Sequence, residues 1–224
     1  GLIVASFPAS AQEVRFCGKT LSPGTTHVTC EQAPLSLEPL LEHTQLESLN
    51  LTKVQSVTDV SMEPLKALTH LQTLHLTGTA ITGKTLRGLS SSLIKIGLPS
   101  QLKTDQGLAD LAHLVELKEL NLSSSSVTDA GLAHLAGLKN LRELELSHTV
   151  VTNAGIRNLK RLKRLRYLGL HKTKVTRRGR QWLSRRLPRL KYKSGPISAV
   201  FDSLPIELEL SPLVSCRHAL REPV

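Results

Sequence analysis

The chain has 224 residues, of which 40% are hydrophobic but only 3% aromatic, so its core must be packed with Leu, Ile, Val and Ala. It carries 29 Lys and Arg against 18 Asp and Glu, a formal net charge of +11. This balance excludes a disordered chain, a collagen and a disulfide-rich scaffold, and no run of about 18 apolar residues is present to cross a membrane as a helix.

Residues 1–11, GLIVASFPASA, end in Ala-Ser-Ala like a cleavage site. They lack a positively charged start and have an apolar run of only about four residues, so they are not expected to be a secretory leader. Beginning at Gly1 rather than Met, the chain reads as a fragment or isoform without its upstream sequence. Val14 and Phe16 suggest a degenerate strand, and Gly18 to Pro34 carries turn formers without clear periodicity. Residues 1–45 are therefore expected to form an N-terminal cap or a degenerate repeat. Cys17, Cys30 and Cys216 are odd in number, widely separated and without zinc spacing, which points to a reducing compartment.

From residue 46 a pattern LxxLxL recurs every 22 to 25 residues. It stands at Leu46/Leu49/Leu51, Leu71/Leu74/Leu76, Leu117/Leu120/Leu122, Leu141/Leu144/Leu146 and Leu165/Leu168/Leu170, with a weaker copy at Leu93/Ile96/Leu98. The last two leucines of each copy lie two apart, so a short strand points both to one side. A second motif follows in phase: Thr104-Asp105-Gln106-Gly107-Leu108, Thr128-Asp129-Ala130-Gly131-Leu132 and Thr152-Asn153-Ala154-Gly155-Ile156. Thr58-Asp59, Thr82 and Thr176 extend that series. Its side-chain oxygens are suited to capping a helix start, and Leu132, Leu135 and Leu138 then form an apolar helical stripe. One strand and one helix cannot bury their leucines alone. Stacked copies can, as a parallel ladder rising about 4.8 Å per step with a continuous leucine core.

The unit LSSSSVTDAGLAHLAGLKNLRELEL resembles a leucine-rich repeat of the ribonuclease-inhibitor-like and cysteine-containing classes. Ser, Thr or Val54 stands where the cysteine-containing class has Cys. The resemblance implies an α/β solenoid, a horseshoe with a parallel β ladder on its concave face and helices on its convex face, binding other proteins along the ladder without catalysis. It covers residues 46–193, about six repeats. The class includes substrate receptors of ubiquitin ligases with an F-box, but no F-box pattern is present here; the adaptor-binding box would have to lie upstream of Gly1.

The array is expected to stop near residue 193, where Lys193 occupies a position due for a core leucine and Arg180 replaces the residue type of Leu132 and Ile156. The tail 194–224 contains the alternation Ile206-Glu207-Leu208-Glu209-Leu210, which reads as a half-buried strand. It either caps the last repeat, with Ile197 and Phe201 packing there, or is a loose extension.

Charge is segregated. Residues 157–193 hold 16 Lys and Arg and no acid, leaving 13 basic against 18 acidic residues elsewhere. Arg157, Lys160, Arg161, Arg164, Arg177, Arg178, Arg185 and Arg186 are placed on the helix side or loops as a basic patch. It is either a solvated face or an attraction for nucleic acid, anionic lipid or an acidic protein. KRLKRLR and RRGRQWLSRR resemble nuclear-localisation signals. The strand positions between leucines predict a concave partner-binding surface of Asn50, His75, Glu119, Asn121, Glu143, Glu145 and Tyr167. Three carboxylates there would favour a basic partner, unless Lys118 and Arg142 neutralise them.

No catalytic site, cofactor or metal is expected. An open ladder offers no water-excluding pocket to raise a carboxyl pKa, and His75 lies three rungs from His148, while the His148–His171 pair lacks further ligands. Gly78–Thr85, GTAITGKT, matches the phosphate-loop pattern formally, but it occupies the ordinary strand-to-helix place of the repeat, and its siblings lack the glycine and lysine. The sequons at Asn50 and Asn121 fall inside predicted strands, where a glycan would block the face. The expectation is thus a monomeric, non-enzymatic protein-binding scaffold, cytoplasmic and possibly nuclear. A ligase substrate receptor, or a nucleic-acid or anionic-membrane tether through residues 157–193, are the alternatives.

Overall fold

The computed structural model describes residues 14–22, 24–30 and 36–193; the tail 194–224 and residues 1–13 lie outside them. LxxLxL produces strands of three residues each. Among the described residues, eight form one parallel sheet in strict chain order: β3 (His27–Thr29), β4 (Ser48–Asn50), β5 (Thr73–His75), β6 (Lys95–Gly97), β7 (Glu119–Asn121), β8 (Glu143–Glu145), β9 (Tyr167–Gly169) and β10 (Lys191–Lys193). Leu49, Leu74, Ile96, Leu120, Leu144 and Leu168 pair directly across successive rungs and are buried with the other repeat leucines. Each fully buried leucine stabilises the fold by about 1.5–3 kcal/mol relative to an exposed one, and no rung buries its own without its neighbours.

Five of the eight strands, β4, β5, β7, β8 and β9, leave through a corner at which the backbone turns left-handed: Lys53, Gly78, Ser124, His148 and Lys172 all have positive φ. The corners form a ladder of their own, with the amides of Lys53, Ser124 and His148 donating to the carbonyls of Thr77, Ser147 and His171. Gly78 is thus the corner residue of its repeat. On the convex side the first repeats hold only single 3-10 turns, Glu38–Glu42, Glu63–Ala67 and Lys84–Gly88. Later repeats hold α1 (Asp105–Leu111), α2 (Asp129–His134), α3 (Asn153–Ile156) and α4 (Arg177–Ser184). The convex helices foreseen by the repeat pattern are therefore confined to the second half.

The Thr-Asp motif divides its labour differently from the simple cap expected. The hydroxyl of Thr128 does cap α2, accepting from the Ala130 amide at 3.2 Å, and Thr104, Thr152 and Thr176 cap their helices likewise. The aspartate reaches forward instead. Asp105 accepts from the amide (2.8 Å) and hydroxyl (2.6 Å) of Thr128, one repeat on, and Asp129 does the same to Thr152 at 2.7 and 2.6 Å. The motif's glycine makes room for this contact: a Cβ on Gly131 would overlap the Asp105 carboxylate, and one on Gly155 that of Asp129.

The N-terminal residues close the open end of the core. β1 (Val14–Phe16) and β2 (Lys19–Leu21) form an antiparallel hairpin across Cys17-Gly18, both with positive φ, as a tight two-residue turn requires. Phe16, Leu21 and Val28 are buried and join the same apolar core as Leu37 and Leu40. Val14 and Phe16 do form a strand, but outside the ladder, whose first rung is Val28 in the stretch that had shown no periodicity. Cys17 and Cys30 are joined by a disulfide with Cα atoms 5.1 Å apart. The odd cysteine count concealed this pair; Cys216 is the odd one and lies outside the described residues.

At the other end, Tyr192 rather than residue 193 stands opposite Leu168, while Lys193 pairs with Gly169. One residue fewer separates Leu190 from its strand than separates Leu165 from β9, so the frame slips. Tyr192 is half-buried against the core and donates its hydroxyl to the Arg180 carbonyl at 2.8 Å. Arg180 is exposed, and Leu183 supplies the buried side chain of α4.

Candidate interaction surface

The parallel register sets the strand residues that alternate with leucine side by side: Ser48, Thr73, Lys95, Glu119, Glu143, Tyr167 and Lys191 in one row, and Asn50, His75, Gly97 in the next. Asn121, Glu145 and Gly169 continue that second row. Asn50, His75, Glu119, Asn121, Glu143 and Tyr167 are half-buried on this face. The asparagines are partly committed: Asn50 Oδ1 accepts from the Thr52 amide, and Asn121 Oδ1 from the Ser123 amide, both at 2.9 Å.

The row of three carboxylates is broken up. Glu119 pairs with Lys95 across the rung at 3.3 Å, so its neutralising partner is neither Lys118 nor Arg142. Glu145 is only 1% exposed and offers a partner no surface. Its Oε1 accepts from the Ser147 amide at 2.8 Å, and its Oε2 has no hydrogen-bond partner. The reason lies on the next rung: Gly169 has no side chain, and a Cβ there would overlap the Glu145 carboxylate, which folds into the space. Gly97 receives His75 in the same way, a Cβ there lying 3.0 Å from His75 Nδ1.

Arg157, Lys160, Arg161, Arg164, Arg177, Arg178, Arg185 and Arg186 are all exposed, and their side chains are held differently. Arg157 and Arg186 are engaged with Trp182, their guanidinium carbons 5.8 and 3.9 Å from its ring centroid. Trp182 is partly buried against the core, a packing role. Arg177, Arg178 and Arg185 sit on or just beyond α4. Arg164 lies in the loop before β9 and donates to Asn140 Oδ1 at 2.5 Å.

Arg164 also lines a hollow of about 710 Å³ at the strand entrances of β8, β9 and β10, together with Arg142, Glu143, Arg166, Tyr167, Arg189 and Lys191. Sequence reasoning singled out three of these seven as candidates, Glu143, Arg164 and Tyr167. The arginines that precede β8 and β9 were outside the alternating positions searched, although Lys118, Arg142 and Arg166 share one register, each amide or carbonyl bonded to the next rung.

Among the described residues, three ionisable groups are displaced. Burial pulls the Asp59 carboxyl upward, but donors outweigh it and leave it below the usual carboxylate range: the Thr82 hydroxyl and amide, the Thr85 hydroxyl and the Gly83 amide. In the phosphate-loop-like stretch, Asp59 thus already occupies the donors of Thr82, Gly83 and Thr85. Burial lowers Lys103. Burial raises the Tyr192 phenol against the lowering influence of the Ser184 hydroxyl and the Arg180 charge.

Among the described residues there is no group of three His, Cys, Asp or Glu placed to hold a metal ion, and no helix long and apolar enough to cross a membrane. His148 and His171 meet edge to face, 5.6 Å between centroids.

Residues 67–90, 116–136 and 137–160 match the family model of the leucine-rich repeat. Among solved structures, internalin C2 of Listeria monocytogenes str. 4b F2365 is similar with a TM-score of 0.60 and 26% identity, covering 75% of this chain and 69% of that one. A second internalin of the same strain, inlF, matches with a TM-score of 0.41 and 21% identity over 73% of this chain and 58% of that one. No curated protein matches the chain in sequence. The chain thus carries leucine-rich repeats stacked as an α/β solenoid.

Proposed function

We propose that the chain is a non-enzymatic interaction module that receives a protein partner on the strand face of β4–β9. The observation that supports this most directly is the pair of in-register rows, Lys95, Glu119, Glu143 and Tyr167 in one and His75 and Asn121 in the next, polar side chains of mixed sign on the strand face. A monomer suffices for this function. The test is capture of partners from nuclease-treated lysate by three forms of the chain. A partner kept by R177E/R178E/R185E/R186E and lost by H75A/E119A/Y167A supports the strand face. The reverse pattern would assign the function to the basic end, as a nucleic-acid or anionic-membrane tether.

The Cys17–Cys30 bond supports an oxidising compartment. That runs against a cytoplasmic or nuclear scaffold and against a ubiquitin-ligase receptor. Alkylation of the protein taken from its own cells, followed by mass measurement, decides this: a fully reduced pair would restore the cytoplasmic reading.

A further inference from the structure

The basic residues at the strand entrances form a unit that neither the repeat nor the core requires. Arg142 and Arg166 hold the same register on adjacent rungs, each immediately before its strand, and Lys191 follows on the next rung, bonded through its amide to the Arg166 carbonyl at 2.7 Å. Adjacent rungs are separated by about 4.8 Å, and like charges so placed repel. Arg164 and Arg189 add two more cations from the loops entering β9 and β10, so five cationic groups and one carboxylate, Glu143, line the hollow of about 710 Å³. Among the described residues, no carboxylate forms an ion pair with Arg142, Arg166, Arg189 or Lys191. Arg166 has only a weak bond, at 3.4 Å, to the Lys163 carbonyl. These guanidinium groups are available for the paired hydrogen bonds that match carboxylates.

We propose that this hollow is the anchoring site for an acidic segment of the protein partner, two or three carboxylates seated on Arg142, Arg166, Arg189 and Lys191, with Tyr167 as the floor. The proposal rests on the strand face being the partner surface and adds the chemistry of what that surface receives. An acidic peptide fits better than a nucleic acid. A continuous phosphate backbone running along the concave face from this hollow meets Glu143 and then the Lys95–Glu119 pair, whereas a peptide places carboxylates only where the cations are. The convex arginines, by contrast, are spread over α4 and its flanks, and two of them are held by Trp182.

The experiment uses the full chain and a fluorescein-labelled hexaglutamate peptide, with fluorescence anisotropy as the readout. Two variants remove equal charge from the two faces, R142Q/R166Q/R189Q at the hollow and R177Q/R178Q/R185Q on the convex side; five of the six positions are exposed and Arg166 is half-buried, and circular dichroism verifies their folding. The expected result is a dissociation constant roughly tenfold weaker for the first variant and changed less than about twofold for the second, since only contacted charges contribute strongly. Equal weakening in both would overturn the site and leave diffuse attraction. Absence of hexaglutamate binding by the native chain would overturn it too. A labelled duplex DNA of matched charge that binds more tightly than the peptide and is lost with the convex variant would replace it with the tether. None of these outcomes depends on a captured partner, so the strand-face function stands or falls separately on the H75A/E119A/Y167A comparison.

Discussion

Asp129 serves the repeat after its own. Its carboxylate holds the amide and hydroxyl of Thr152 in the space left by Gly155. The single change G155A should therefore destabilise the chain by about 1–3 kcal/mol in urea unfolding, the range for a disrupted buried hydrogen-bonding site. In a D129A background the same change should cost clearly less, and strict additivity in that double-mutant cycle would disprove the coupling. Asp59 makes a pH prediction. Its donors hold its folded pKa below the unfolded value of 3.8, so its contribution is complete above that value and is lost as pH falls through the folded pKa. The native chain should lose urea resistance below about pH 4 more steeply than D59N, whose neutral side chain does not titrate; identical acid slopes would exclude Asp59 as a contributor. The threonine caps were legible because cap and helix are neighbours in sequence. The aspartate's forward reach and the burial of Glu145 were not, because each is decided by a glycine in the next repeat.

Among the elements, the rungs with complete LxxLxL were read correctly because each leucine spacing specifies one strand. β3 escaped because its copy reduces to Val28, flanked by turn formers, and the β1–β2 hairpin because its stabilising bond joins cysteines 13 residues apart in a chain with an odd total. Breaking that bond with C17S/C30S should lower stability by about 3 kcal/mol on the chain-entropy account of a loop this size. An unchanged urea midpoint would show that the hairpin covers the core without help. L144D places an unpaired charge at a side chain that is 1% exposed and should abolish the native circular dichroism spectrum; a native spectrum would contradict the inward assignment of β8. The slip at β10 was beyond sequence reading, since the spacing of Leu187 and Leu190 continues the frame correctly until a single residue is dropped.

For the whole molecule, stability is approximately a sum over neighbouring rungs. Amide hydrogen exchange should be slowest in β5–β8, which have folded rungs on both sides, and faster toward β10; uniform protection would imply a single cooperative unit instead. The molecule-wide charge division was plain in the sequence, but the cations gathered at the strand entrances were not. The residues on α4 are conspicuous as a run, whereas Arg142, Arg166, Arg189 and Lys191 come from three separate repeats and become neighbours only once the ladder is stacked.

The forward-reaching clamp also gives the array a direction. Asp59, Asp105 and Asp129 each reach the threonine of a following repeat through two donors, and Asn153 still accepts from the Thr176 amide at 3.0 Å. The corresponding place in the next helix is taken by Arg177, a side chain with donors only. Gly83 holds the same place after Thr82 without any side chain, and the ladder continues past it. The clamp therefore tightens the seams between particular repeats, leaving the seam after Gly83 without one and the last, at Arg177, with a cation where its predecessors had an acceptor.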